Sequence, residues 1–117
     1  MEIVIFKDIE TSKNEIFSLF EKETDNSILI DFGDNFIDPQ ILCFMLFIQR
    51  EAVLRKISVI FIVGDESSFK KLLLEKYNKY FSIFNTYKEY ENLKRFIKFK
   101  VANINIEQFV KELITNI

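Results

Sequence analysis

Residues 27–39 read Ser27-Ile28-Leu29-Ile30-Asp31-Phe32-Gly33-Asp34-Asn35-Phe36-Ile37-Asp38-Pro39, and three structural signals follow one another there. Ile28-Leu29-Ile30 is the apolar centre of a short strand over Ser27–Phe32. Gly33-Asp34-Asn35 is turn chemistry, since Gly accepts left-handed backbone and Asp and Asn bond their own main chain. Asp38-Pro39 opens a helix: the carboxylate accepts free N–H groups of the first turn, and Pro at the first position has no N–H to leave unpaired. The spacing predicts a helix from Pro39 to Lys56, about 27 Å long. Ser58–Val63 follows as an unalternating apolar run, the pattern of a strand buried on both faces of a parallel sheet.

The alternation extends in both directions. Glu2–Lys7 reads as a strand with Ile3 and Ile5 on one side and Val4 and Phe6 on the other, both sides expected to be covered. Ser12 and Glu15 have capping-box spacing and open a helix to near Glu23, with Ile16, Leu19 and Phe20 facing inward. A polar turn, Thr24-Asp25-Asn26, ends it. Beyond Gly64-Asp65, a helix presents Phe69, Leu72, Leu73 and Tyr77 to the core, with Ser67 and Ser68 as caps in its first turn. Phe81–Phe84 is a short strand, and Tyr87 to Arg95 a helix with Tyr90 and Leu93 inward. Ile97, Phe99 and Val101 alternate with Lys98 and Lys100, as in an edge strand with one wet face. Asn105 caps a last helix carrying Phe109, Val110, Leu113 and Ile114. Strands alternating with helices make this an α/β chain with a mixed, mostly parallel sheet and helices packed against it.

The chain has 117 residues, room for one domain. Nearly half are apolar and fourteen are Phe, so a substantial core is available. There is no His, which removes Ser-His and Cys-His nucleophiles and every His-based metal site. The lone Cys43 can neither close an intrachain disulfide nor build a zinc site, and inside its apolar run it is expected to be a buried, inert thiol. No signal-peptide pattern opens the sequence, so the cytoplasm is the natural compartment. The net charge of −2 gives no footprint for nucleic acid. Tyr80, Tyr87, Tyr90, Phe96 and Phe99 stand among basic residues, but the same pattern describes an amphipathic helix and an edge strand. Charge is unevenly spread: residues 1–49 carry three Lys against ten Asp or Glu, and residues 50–100 twelve Lys or Arg against six. Either one face is acidic and another basic, or the segments sit side by side and offset each other.

Two places could carry function. Asp31, Asp34 and Asp38 fall at the C-terminal end of a strand, where parallel sheets gather their sites, and three carboxylates there could hold Mg²⁺ or act as phosphoacceptors. The plainer reading is that Asp34 makes the turn and Asp38 caps the helix. No glycine-rich phosphate loop exists in the chain, and the sequence points to no cofactor, metal or catalytic residue. The second place is the Pro39 helix. Ile41–Ile48 is eight apolar residues in a row, more than the single stripe a helix needs against a sheet. The run is far short of the ~20 residues that span a membrane. Leu42, Met45, Leu46 and Val53 form the inward stripe, interrupted by Gln49. Phe44, Phe47 and Ile48 then point elsewhere, to be covered by the C-terminal extension or by a partner.

The run SILIDFGDNFID at residues 27–38, with ISVIFIVGD and SFKKLLLEKYNKYFSIFNTYKEYENL after it, resembles the STAS domain, the family of anti-sigma factor antagonists and sulphate-transporter cytoplasmic domains. Asp31 matches the family's strand Asp, and Asp38 the Asp that precedes its hydroxyl pair. The resemblance covers about residues 3–95, leaving residues 96–117 as a strand-and-helix extension of one domain spanning 1–117. Pro39 and Gln40 replace the phosphorylatable hydroxyl residues, and Ile41 the following Gly, so no phosphate switch operates there. The resemblance implies a non-enzymatic module that binds a protein, such as an anti-sigma factor or kinase-like regulator, or a second copy of itself. The docking helix would be the one from Pro39, with Phe44, Phe47 and Ile48 as anchors and Asp34, Asp38, Gln40 and Arg55 around them. A STAS-like subunit of a lipid-transport or transporter complex is a further possibility, its link to any membrane running through a partner.

Overall fold

The computed structural model describes residues 1–22, 27–96 and 105–115. In chain order the elements are β1 (Glu2–Ile5), α1 (Ile9–Phe20), β2 (Ser27–Asp31), α2 (Pro39–Leu54), β3 (Ser58–Ile62), α3 (Ser68–Lys76), β4 (Ser82–Phe84), α4 (Tyr87–Leu93), a 3₁₀ turn (Lys94–Phe96) and α5 (Ile106–Thr115). The expected strand around Ile97, Phe99 and Val101, the turn Thr24-Asp25-Asn26 and the Ser68 side chain lie outside the described residues.

The four strands are all parallel and stand in sequence order, β1-β2-β3-β4. Each crossover therefore steps one strand further in the same direction. Right-handed crossovers then place α1, α2 and α3 side by side on a single face. The cores agree. Val4, Ile30, Phe61 and Ile83 share a register on that face and pack with residues of all three helices and of α5. The opposite face holds a small cluster, Leu29, Ile60 and Ile62 beneath Tyr90 of α4, with Phe84 against it. Tyr90 donates its hydroxyl to Met1 Sδ at 3.1 Å. Beyond that point Ile3 and Ile5 of the edge strand are exposed, so β1 is covered on one side only, not on both. Leu93, expected inward, is exposed as well.

Caps explain most boundaries. Asp38 Oδ1 accepts the Ile41 N–H at 2.8 Å with Pro39 in the first turn, and Asn105 Oδ1 accepts the Gln108 N–H at 3.0 Å. Ser67 and Thr86 cap α3 and α4 in the same way. The first helix departs from expectation. Asp8 caps it, accepting the Thr11 N–H at 2.7 Å and the Thr11 hydroxyl at 2.9 Å, so α1 starts four residues before the position that Ser12 would set. Those bonds hold the Asp8 carboxyl below the usual carboxylate range. Ser12 is instead buried, and its hydroxyl accepts the Lys7 N–H that continues β1. The second helix ends at Leu54 in a Schellman-type turn: Ile57 N–H donates to Ala52 O at 2.9 Å, with Lys56 in the left-handed region at φ 58°. A lysine stands there where glycine is customary, so the sequence offers no stop signal.

Candidate functional site

The C-terminal edge of the sheet is built by the loops that leave β2 and β3. Gly33 turns the chain at φ +55°, a backbone that favours glycine. Gly64 N–H donates to Gly33 O at 2.8 Å, and Asp65 Oδ2 accepts the Ile37 N–H at 3.2 Å. A Cβ on Gly64 would stand 2.9 Å from Gly33 O and 2.6 Å from Asp34 Oδ1, so close approach of the two loops requires glycine at that position. The three carboxylates considered for Mg²⁺ are spent separately: Asp31 accepts the Gly33 N–H at 2.8 Å, Asp38 caps α2, and Asp34 lies against Gly64. Among the described residues no group of three or more His, Cys, Asp or Glu could hold a metal ion. Asp38 is thus the helix cap, and Asp34 stands in the turn after β2.

The same edge carries a buried cation that sequence reasoning missed. Lys70, on the first turn of α3, is only 2% exposed. Its ammonium donates to Glu66 Oε1 at 3.0 Å and to Asn85 Oδ1. Asn85 in turn donates to Glu89 Oε2 at 2.9 Å. The chain ties α3, the end of β4 and the start of α4 together, and satisfies the buried charge at both acceptors. Four Lys or Arg lie among residues 70–79, and nothing in that spacing singles out this one.

The second helix sorts its apolar run into two sides. Phe44 is 5% exposed, with its ring 5.8 Å from Phe6 and 6.4 Å from Phe32. Ile48 is fully buried. Neither is available as a docking anchor, which corrects the expectation from the sequence. The reason is the one-sided helix layer: α2 spans from β2 to β3 and is flanked by α1, so well over one stripe of its surface turns inward. Gln49 falls within that inward surface, and its Oε1 makes no hydrogen bond among the described residues. Of the C-terminal extension, Phe109 of α5 packs edge-on against Tyr77 of α3 at 5.0 Å. Burial there, with Glu112 beside it, pushes the Tyr77 hydroxyl up to about 12.

The outer side of α2 is a stripe at three-and-four spacing: Gln40, Cys43, Phe47, Arg50 and Leu54, all exposed. Phe36, also exposed, precedes it in the loop. Phe47 is 38% exposed, its ring 5.7 Å from Phe17 of α1 and 5.3 Å from the Lys13 ammonium. Leu54 is 78% exposed. Arg55 lies over Phe20 and Phe17, at 5.1 and 5.7 Å from the ring centres, and pairs with Glu51. Of the expected docking residues, Gln40, Phe47 and Arg55 are exposed on or beside α2, Asp34 is exposed on the loop before it, and Asp38 is half-buried as its cap. Cys43, expected to be buried, is exposed in the middle of the stripe. Phe36, Arg50 and Leu54 were missed, although the spacing from Gln40 to Leu54 was there to be read once Phe44 was placed inward.

The aromatic residues weighed for base stacking do not share one surface environment. Tyr90 lies against the sheet, Tyr80 packs at 5.9 Å from Tyr77, Tyr87 and Phe96 are exposed, and Phe99 lies outside the described residues. No described helix is long and apolar enough to cross a membrane. Comparison with known proteins found no matching family model, no matching curated protein and no matching solved structure.

Proposed function

We propose that this chain is a non-enzymatic, STAS-like binding domain that docks another protein surface along the outer side of α2. The observation that carries the reading is the exposed stripe, with Phe47 and Leu54 as apolar anchors and Arg50 and Gln40 as polar neighbours. Large apolar side chains left in water each forgo ~1.5–3 kcal/mol of burial, which a partner surface recovers. The position agrees with the docking helix that the STAS resemblance implies. Pro39 and Gln40 at its start accept no phosphate, so binding is constitutive at that position. A single exposed thiol fits a reducing compartment, and the domain belongs in the cytoplasm.

The test uses Cys43 as a built-in attachment point. A photo-cross-linker is placed on Cys43 of the native chain and, as control, on a cysteine introduced at exposed Lys88 in a Cys43→Ser background. Irradiation in extract of the source cells should give a discrete protein adduct from Cys43 and none from position 88. Equal or absent labelling at the two positions would remove α2 as the docking surface.

A further inference from the structure

We infer that the partner of the α2 stripe is a second copy of this chain, with the two α2 helices antiparallel about a two-fold axis through their middles. The inference rests on the docking reading above and names its occupant. Charge complementarity along the helix carries it. The loop and cap at the start of α2 hold Asp34 and Asp38, with no base between residues 23 and 49. The end of α2 holds Arg50, Arg55 and Lys56, offset only by Glu51, which is tied to Arg55. A surface acidic at one end and basic at the other, with apolar residues between, is complementary to itself when one copy is reversed. The same polarity suits the helix dipole, so it costs the monomer nothing.

The register follows from the helix. Pro39–Leu54 is about 24 Å long, and Phe47 stands at its middle. Reversal about that point brings Phe47 to the axis, Cys43 opposite Arg50 of the second copy, Gln40 opposite the end at Leu54, and Asp38 opposite Arg55. Each acidic end meets a basic end, twice by symmetry. A parallel arrangement would set like ends together and is disfavoured. A lone helix pair buries less than the ~1,200 Å² of a small stable interface, so the dimer is weak and depends on concentration and salt.

The experiment is sedimentation velocity of the full chain over a concentration series at low and high salt. Wild type should shift from monomer to dimer as concentration rises, and less so at high salt. Asp34→Lys and Lys56→Glu each turn two attractive end contacts into repulsive ones, so each alone should weaken association about tenfold or more. Mixed in equal amounts, the two variants should associate to within about threefold of wild type, because the lysine introduced by Asp34→Lys then faces the glutamate introduced by Lys56→Glu, and the unchanged Asp34 of one copy faces the unchanged Lys56 of the other. Leu54→Asp, at a side chain in open solvent, serves as a second variant and should weaken dimers by a similar factor. Circular dichroism confirms that each is folded. Dimers that ignore all three substitutions would overturn the inference, by locating self-association elsewhere, for example at exposed Ile3 and Ile5 of β1. A wild type that stays monomeric would also overturn it, while the docking reading would still stand or fall on the Cys43 adduct.

Discussion

Phe44 and Phe47 lie one turn apart on α2 and differ more than sevenfold in exposure, 5% against 38%. Phe44 faces Phe6 and Phe32, between the sheet and the first loop. Phe47 leans on Phe17 and Lys13 at the edge of α1, with the rest of its ring in water. The residue type and the helix are the same, so the environment is set by the layer around them. In a sheet with sequential parallel strands the crossover helices share one face, and a middle helix is buried on its flank as well as beneath. Ile41, Leu42, Phe44, Met45, Leu46, Ile48, Gln49 and Ala52 all turn inward as a result. What remains outside is the narrow stripe from Gln40 to Leu54.

Breaking the inner side should have the largest effect. Phe44→Ser removes a buried ring and leaves a hydroxyl in its place, so urea unfolding should show a loss of about 3–5 kcal/mol. A loss below 1 kcal/mol would mean that Phe44 is not a core residue and that α2 is less deeply set than described.

The same inner side has one misfit, and repairing it should raise stability. Gln49 is buried with its carbonyl oxygen unpaired among the described residues. Gln49→Leu keeps much of the volume and removes the desolvated amide, so the unfolding free energy from urea titration should rise by about 1–2 kcal/mol. A drop instead would show that the amide is satisfied in solution, by water for example.

These two residues also show how far the sequence could be read. The α/β alternation, the parallel pairing, the Asp38-Pro39 helix start and the inward residues Phe69, Leu72, Leu73 and Tyr77 were all legible, because each is encoded locally by period, cap or turn chemistry. The inward arc of α2 was not. It depends on strand order, which puts α1 and α3 on the same face, and strand order has no local signature. Cys43 was misplaced for the same reason, and Lys70 was hidden because Asn85 meets it only after β4 is laid beside β3, while Glu66, four residues before it, is one local acid among several. Ser12 lost its place as a cap to Asp8, which stands directly before the helix and draws two hydrogen bonds from Thr11.

The start of α2 belongs to both sides. Asp38→Ala removes the acceptor for the Ile41 N–H and should cost about 1 kcal/mol in thermal or urea unfolding. Asp38→Asn, which keeps an acceptor in the same position, should recover most of that loss. If it does not, the negative charge at the helix start matters more than the hydrogen bond.

The outer side should tolerate what the inner side does not. Leu54 is the most exposed apolar residue of α2, at 78%. It gives up little packing in the folded monomer, and serine differs from leucine in helix propensity by only a few tenths of a kcal/mol. Leu54→Ser should therefore leave the unfolding free energy in urea within about 0.5 kcal/mol of wild type. The same substitution removes an anchor of the proposed interface, so sedimentation should show weaker association at unchanged stability. That separation is the sharpest use of the two-sided helix. A residue whose loss lowers association and stability together is packing the core, and one that lowers association alone is addressing a partner. Should Leu54→Ser destabilise the monomer by more than 1 kcal/mol, the outer stripe would be part of the fold, and the division between Phe44 and Phe47 would be one of degree.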